Sequence, residues 1–222
     1  MKSIVVTHSD PKSPVSEAFR NLRTNVHYTN IDREIRVIQI TSPVQGEGKS
    51  TITSNYAVTL AQSGKRVVVV DCDLRRPQLH KIFALKNTNG LSNVLVGDHA
   101  METNLRETKV PNLYVLTSGP IPPNPSEMLD SKRMKELVQS LKDHFDTVIF
   151  DSPPILPVTD GLVLSQIADG TMVVVSLGKS EKEALRKTMD SLENIEANIL
   201  GTVLNNASTK AGYYHNYEYE YK

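Results

Sequence analysis

Three clusters of side chains in this sequence have the types and spacing to do chemistry. The first is the run Thr41-Ser42-Pro43-Val44-Gln45-Gly46-Glu47-Gly48-Lys49-Ser50-Thr51. A glycine-bearing loop between an apolar strand and a Gly-Lys-Ser that opens a helix is the pattern of a phosphate-binding loop. The glycines let backbone N–H groups turn toward phosphate oxygens, and the helix N-terminus adds positive potential. Gln45, Gly46, Glu47, Gly48, Lys49, Ser50 and Thr51 are then expected to line a bound nucleotide. Lys49 reaches for the β- and γ-phosphates and the Ser50 hydroxyl for Mg²⁺. The usual pattern opens with a glycine where this chain has Pro43.

The second cluster ends an apolar run: Val67-Val68-Val69-Val70-Asp71-Cys72-Asp73-Leu74-Arg75-Arg76. If the chain stays extended past the strand, Asp71 and Asp73 face one side, at the edge of a parallel sheet where ligands bind. One carboxylate suits a metal, the other a proton taken from an attacking group. Cys72 faces the other way and reads as a small buried residue. The third cluster is Asp151 after Val148-Ile149-Phe150, an aspartate placed to orient Mg²⁺ or its water. Finally, Asn205 closes a strand with an amide side chain; it either reads adenine or caps the strand end.

Those residues need a frame. β-branched runs at 37–41, 67–70, 113–116, 147–150, 172–175 and 199–204 read as strands buried on both faces. Helical patterns lie between them at about 50–63, 131–144 and 181–196. Alternating strands and helices predict a P-loop NTPase fold, a mostly parallel sheet with helices on both faces in three α/β/α layers. A further helix is expected over about 14–28. Ser13 caps it, with Pro14 at its first position. Val15, Ala18, Phe19, Leu22 and Val26 give it one apolar face. Glu17, Arg20 and Arg23 recur three apart beside that face, which by itself describes a solvated surface with a weak Glu17–Arg20 pair. Residues 119–125, with Pro120, Pro122, Pro123 and Pro125, predict a rigid, non-helical loop.

Composition narrows the function classes. The 222 residues carry 25 basic and 25 acidic side chains and no formal net charge, so no nucleic-acid partner is expected. One cysteine rules out an intrachain disulfide framework and fits a reducing compartment. The N-terminus lacks the pattern of a signal peptide, and no stretch approaches the roughly 20 apolar residues of a membrane helix. The expectation is a cytoplasmic protein whose membrane association comes through a partner. Residues 1–205 form one domain, and 206–222 a flexible tail. Five of the eight tyrosines fall in that tail, Tyr213, Tyr214, Tyr217, Tyr219 and Tyr221, interleaved with Glu218 and Glu220. They serve either as a sticky docking strip or as phosphate acceptors. A strand ending at Asn205 releases the tail on the ligand edge of a parallel sheet, and residues 206–212 span at most about 23 Å.

Together these motifs resemble the bacterial tyrosine kinases that regulate capsule and exopolysaccharide synthesis, and among them the cytoplasmic kinase subunit of the two-protein, Gram-positive type. The similarity runs from about Pro11 to Lys222. Asp71, Asp73 and Arg75 match the family's Asp-x-Asp-x-Arg, Asp151 and Pro154 its Asp-x-x-Pro, and Glu17, Arg20 and Arg23 its Glu-x-x-Arg-x-x-Arg helix. The family's phosphate loop also lacks the leading glycine; most members have proline where Gln45 stands. The resemblance implies ATP and Mg²⁺ as cofactors, with Lys49, Asp71, Asp73 and Asp151 catalytic and Ser50, Asp71 and Asp151 toward the metal. It implies autophosphorylation of the tail tyrosines. It implies a ring-shaped homo-oligomer with Glu17, Arg20 and Arg23 at the contact, a transmembrane activator that recruits the kinase to the inner face of the membrane, and a cognate phosphotyrosine phosphatase. Two other readings share the loop. A chromosome-partitioning or division-site ATPase typically carries a second lysine five residues before the main one, where this chain has Val44. A nucleotide-gated interaction module would use the tyrosines for docking.

Overall fold

In the computed structural model, which describes residues 5–29 and 34–207, the runs of β-branched residues become the strands of one sheet. In chain order the strands are β1 (Val37–Thr41), β2 (Val67–Asp71), β3 (Leu105–Glu107), β4 (Leu113–Leu116), β5 (Thr147–Asp151), β6 (Gly170–Ser176) and β7 (Ile199–Asn205). They lie in the order β3-β4-β2-β5-β1-β6-β7. Every pairing is parallel except that of β3 with β4, which is antiparallel. The tail tyrosines Tyr213, Tyr214, Tyr217, Tyr219 and Tyr221 lie outside the described residues.

The helices are α1 (Val6–Ser9), α2 (Pro14–Thr29), α3 (Lys49–Gln62), α4 (Leu79–Ile82), α5 (Leu91–Val96), α6 (Met101–Asn104), α7 (Pro125–Leu129), α8 (Lys132–His144), α9 (Asp160–Ile167) and α10 (Lys182–Glu193). Successive strand residues serve opposite layers, as the pleat requires. Val67 and Val69 of β2 join a core with Ile52 and Tyr56 of α3 and Phe19 of α2. Val68 and Val70 join another with Met134, Leu137 and Leu141 of α8 and Leu164 of α9. Each such side chain, fully removed from water, contributes about 1.5–3 kcal/mol before entropy is counted. Helices on both faces of a mostly parallel sheet make the expected three layers.

Two expectations need correction. β7 is not buried on both faces. It is the edge of the sheet, half exposed along its length, with Leu204 at 52 % exposure. A β-branched run does not distinguish an edge from a centre. The apolar face of α2 is also narrower than periodicity predicts. Phe19, Leu22 and Val26 pack on the core, whereas Val15 is 52 % exposed and Ala18 is exposed. Ser16 is buried beneath the helix start instead, its hydroxyl donating to the Asp10 carbonyl at 2.7 Å. The predicted cap is present: Ser13 Oγ accepts the Ser16 N–H at 3.2 Å. The loop of residues 119–124 is non-helical, and Pro125 opens α7.

What matters for the site is that β1, β2, β5 and β7 all deliver their carboxyl ends to one edge. Asp71 and Asp151 are directly paired neighbours there, Ile40 pairs with Asp151, and Ser176 pairs with Asn205.

Candidate active site

The loop after β1 enters α3 through Gly48, whose backbone is left-handed at φ +91°, with no side-chain cap on the helix. The first-turn N–H groups of α3 are thereby left for an anion, where the helix dipole favours one. Gly46 is also left-handed, at φ +82°. A Cβ on Gly48 would sit 2.1 Å from Asn205 Nδ2, so only glycine fits.

Lys49 begins α3 and is only 7 % exposed. Its Nζ lies 3.6 Å from Asp73 Oδ2, and Asp73 Oδ1 accepts the Arg76 N–H at 3.0 Å. Below it lie two fully buried carboxylates. Asp151 Oδ1 accepts the Thr53 hydroxyl at 3.1 Å. Burial pushes the Asp151 carboxyl up to about 6, although Lys49 and the Ser50 hydroxyl pull it back. Asp71 Oδ2 accepts the N–H groups of Gln78 and Leu79, at 3.1 and 3.0 Å, at the start of α4. Burial, then the charge of Asp151, drives the Asp71 carboxyl well above the usual range. Asp71 Oδ1 and Asp151 Oδ2 are buried with no hydrogen-bond partner among the described residues. Two adjacent, dry carboxylates with free oxygens create a demand for positive charge that Lys49 alone does not meet. Hard oxygen donors of this kind suit Mg²⁺, which takes one or two carboxylates plus phosphate oxygens and water. No cluster of three or more His, Cys, Asp or Glu able to hold a metal occurs among the described residues.

The two aspartates of the second motif take different partners. The strand stops at Asp71 and the chain turns at 74–76. Asp71 therefore caps α4 while Asp73 meets Lys49. Cys72 is buried as expected, and burial pushes its thiol up, with Asp71 adding to the effect. Arg75 braces the turn by a two-pronged bond to the buried Asp160, at 2.9 and 3.1 Å. Burial works to raise Asp160, but the bonds from Arg75 and Ser126 outweigh it and hold the carboxyl below its ordinary value. Gln45 is exposed and accepts from Arg76 Nη1 at 2.6 Å.

Asn205 lies on the loop: its Nδ2 donates to the Glu47 carbonyl at 2.9 Å, and its Oδ1 accepts the Asn206 N–H at 2.9 Å. Glu47 turns its side chain inward and is fully buried. Sequence reading missed the residues that meet it, Ser176 and Ser180, and also Asp160 and Thr53, because each is brought in from a distant element with no local pattern. Glu17, Arg20 and Arg23 share α2. Arg20 Nη2 lies 2.6 Å from Glu17 Oε2, and Arg23 Nη1 donates to the Thr59 carbonyl of α3 at 2.6 Å. Arg20 Nη1 also donates to the Pro11 carbonyl at 3.0 Å, in the turn before α2, so these side chains tie α2 to that turn and to α3 and make no bond to the phosphate loop.

A family model described as an AAA domain matches residues 35–205. The tyrosine-protein kinase YwqD of Bacillus subtilis (strain 168) is 44 % identical over 218 residues, covering 96 % of this chain and 92 % of that protein. The chain belongs to the bacterial tyrosine-protein kinase family. Its activity is that of a protein-tyrosine kinase. Among solved structures, the chimerical protein CapA2B2 matches this kinase with a TM-score of 0.88 at 39 % identity, covering 92 % of this chain and 90 % of that one. The septum site-determining protein MinD from Pyrococcus horikoshii OT3, solved with Mg-ADP, matches with a TM-score of 0.65 at 28 % identity, covering 76 % of this chain and 69 % of that one. The kinase thus shares the nucleotide-binding fold of the division-site ATPase, while Val44 stands where the second lysine of that type is expected.

Proposed function

We propose that this kinase uses Mg·ATP to phosphorylate Tyr213, Tyr214, Tyr217, Tyr219 and Tyr221 of its own C-terminal segment, residues 206–222, from a catalytic domain of residues 1–205. The observation that carries the reading is the pair of buried, neighbouring carboxylates with free oxygens beside Lys49, at the sheet edge where β7 hands over to that segment. The backbone of residues 45–51 and Lys49 hold the phosphates. Ser50, Asp71 and Asp151 would hold Mg²⁺, which supplies charge neutralisation on the phosphoryl oxygens. A tail tyrosine oxygen forms a bond to the γ-phosphorus, the bond to the leaving ADP breaks, and the phenolic proton passes to Asp73. Positioning and charge stabilisation supply most of the acceleration in such transfers. Asn205 keeps its second Nδ2 hydrogen and one Oδ1 lone pair for adenine while its bond to the Glu47 carbonyl stays in place.

The likeness to a chimerical protein supports activation by a second protein, a transmembrane activator whose cytoplasmic segment recruits the kinase to the inner membrane face. No helix among the described residues is long and apolar enough to cross a membrane, which fits recruitment by a partner. The exposed Glu17–Arg20 edge of α2 supports a contact in a ring-shaped homo-oligomer, and a phosphotyrosine phosphatase would reset the tail. The process served is capsule or exopolysaccharide synthesis and export. The test is incubation of the full chain with Mg·ATP and an activator segment, followed by detection of phosphotyrosine. Wild type is labelled and Lys49→Met is not; release of free phosphate alone overturns the reading.

A further inference from the structure

Glu47 stands between two left-handed glycines, Gly46 and Gly48. That backbone turns N–H groups toward a phosphate, but glycine also loses the most freedom when held in one shape. The side chain between them faces neither solvent nor the phosphate space. Glu47 Oε2 accepts the Ser176 N–H at 2.6 Å, at the end of β6, and the Ser180 hydroxyl as well. Lys179 Nζ donates to the Gly46 carbonyl at 2.9 Å, and Asn205 Nδ2 holds the Glu47 carbonyl. Residues 176–180 and the end of β7 therefore grip the loop from 129 to 158 residues away in sequence.

A buried carboxylate beneath an anion site repels the ligand's charge. Glu47 Oε1 is moreover buried without a hydrogen-bond partner among the described residues, a cost that native proteins rarely carry without a reason. Two charge-assisted bonds to Oε2 offset it.

We propose that Glu47 is a positioning residue for the nucleotide: a peg that locks the phosphate loop onto residues 176–180, so that the loop N–H groups and Lys49 are oriented before Mg·ATP arrives. Pre-ordering the loop removes that ordering cost from the binding step. The inference rests on the Mg·ATP reading of this site.

The test is calorimetric titration of the full chain with Mg·ATP, alongside steady-state kinetics with an acceptor peptide copying the tail. Ser180→Ala, which removes one of the two bonds, is expected to weaken nucleotide binding about tenfold, or about 1.4 kcal/mol. Glu47→Ala weakens it further, and Glu47→Gln, which keeps an acceptor of the same reach, recovers most of the loss. The KM for ATP rises while the KM for the peptide stays constant, a split that general destabilisation does not produce. The proposal is overturned if Ser180→Ala and Glu47→Ala both bind within about twofold of wild type, or if the two KM values rise together. Failure of wild type itself to bind Mg·ATP overturns the underlying reading, and this inference with it.

Discussion

Replacing Asp151 by asparagine should make the metal-free kinase more stable while destroying its activity. The Asp151 carboxyl lies at about 6 instead of 3.8, so the folded chain holds that proton more tightly than the unfolded one. Below about pH 4 both states are protonated and burial of the charge costs nothing. As pH rises from about 4 to 6 the folded state pays an increasing penalty, which is complete above that window. A shift of about two units at about 1.4 kcal/mol per unit amounts to roughly 3 kcal/mol. The shift already includes the attraction to Lys49. The amide that replaces the carboxylate would keep an oxygen to accept the Thr53 hydroxyl but place an NH₂ group at the unpartnered Oδ2 position, which costs part of the gain. The expected net gain is therefore about 1–3 kcal/mol at pH 8. For a chain of this size the thermal midpoint should rise by roughly 2–4 °C per kcal/mol. Scanning calorimetry of the full chain in chelator, at pH 8 and again near pH 4.5, reads the difference directly. The gap should shrink at the lower pH, and added Mg²⁺ should stabilise wild type more than Asp151→Asn. A variant no more stable than wild type at pH 8, or a gap that ignores pH, would show that the buried Asp151 charge does not destabilise the metal-free fold.

Two further outcomes test separate parts of the site and its surroundings. Asp73→Asn should keep nucleotide binding, since Lys49 and the loop remain, while phosphotransfer falls by about a hundredfold or more; unchanged transfer removes Asp73 from the role of base. Glu17→Ala combined with Arg20→Ala should lower the oligomer's size on size-exclusion chromatography while leaving the monomer folded, because the Glu17–Arg20 pair is exposed and contributes little within one subunit. An unchanged elution volume removes this face of α2 from the subunit contact.

The strands that carry the site were legible because their chemistry is local. Val67 to Val70 followed by Asp71, and Val148 to Phe150 followed by Asp151, each combine a β-branched run with a carboxylate at its end. Gly-Lys-Ser marks the start of α3 to within a residue. What stayed hidden depends on contacts between distant segments. Glu47 looks like any loop residue until Ser176 and Ser180 fold against it. Arg75 finds Asp160 across 85 positions of sequence. β3, with only Leu105, Arg106 and Glu107, has no pattern of its own and exists because β4 offers it an edge. The half-exposed state of β7 follows from its place in the strand order, which its β-branched composition does not encode. In α2, Ser16 replaces Val15 and Ala18 beneath the helix because the Asp10 carbonyl gives its hydroxyl a partner.

The C-terminal tyrosines are proposed as the acceptors because β7 ends at the edge of the sheet that carries Asp71 and Asp151. Tyr28, at 65 % exposure, provides the internal control. It lies in the last turn of α2 and lines a hollow with Ile35, Ile38 and Thr147, near the starts of β1 and β5 and so at the opposite edge of the sheet from Asp71 and Asp151. The decisive measurement is peptide mapping of phosphotyrosine after incubation of the full chain with Mg·ATP and an activator segment. Phosphate on Tyr213 to Tyr221 with none on Tyr28 is the predicted result; comparable labelling of Tyr28, or a tail left unmodified while ATP is consumed, would contradict the account.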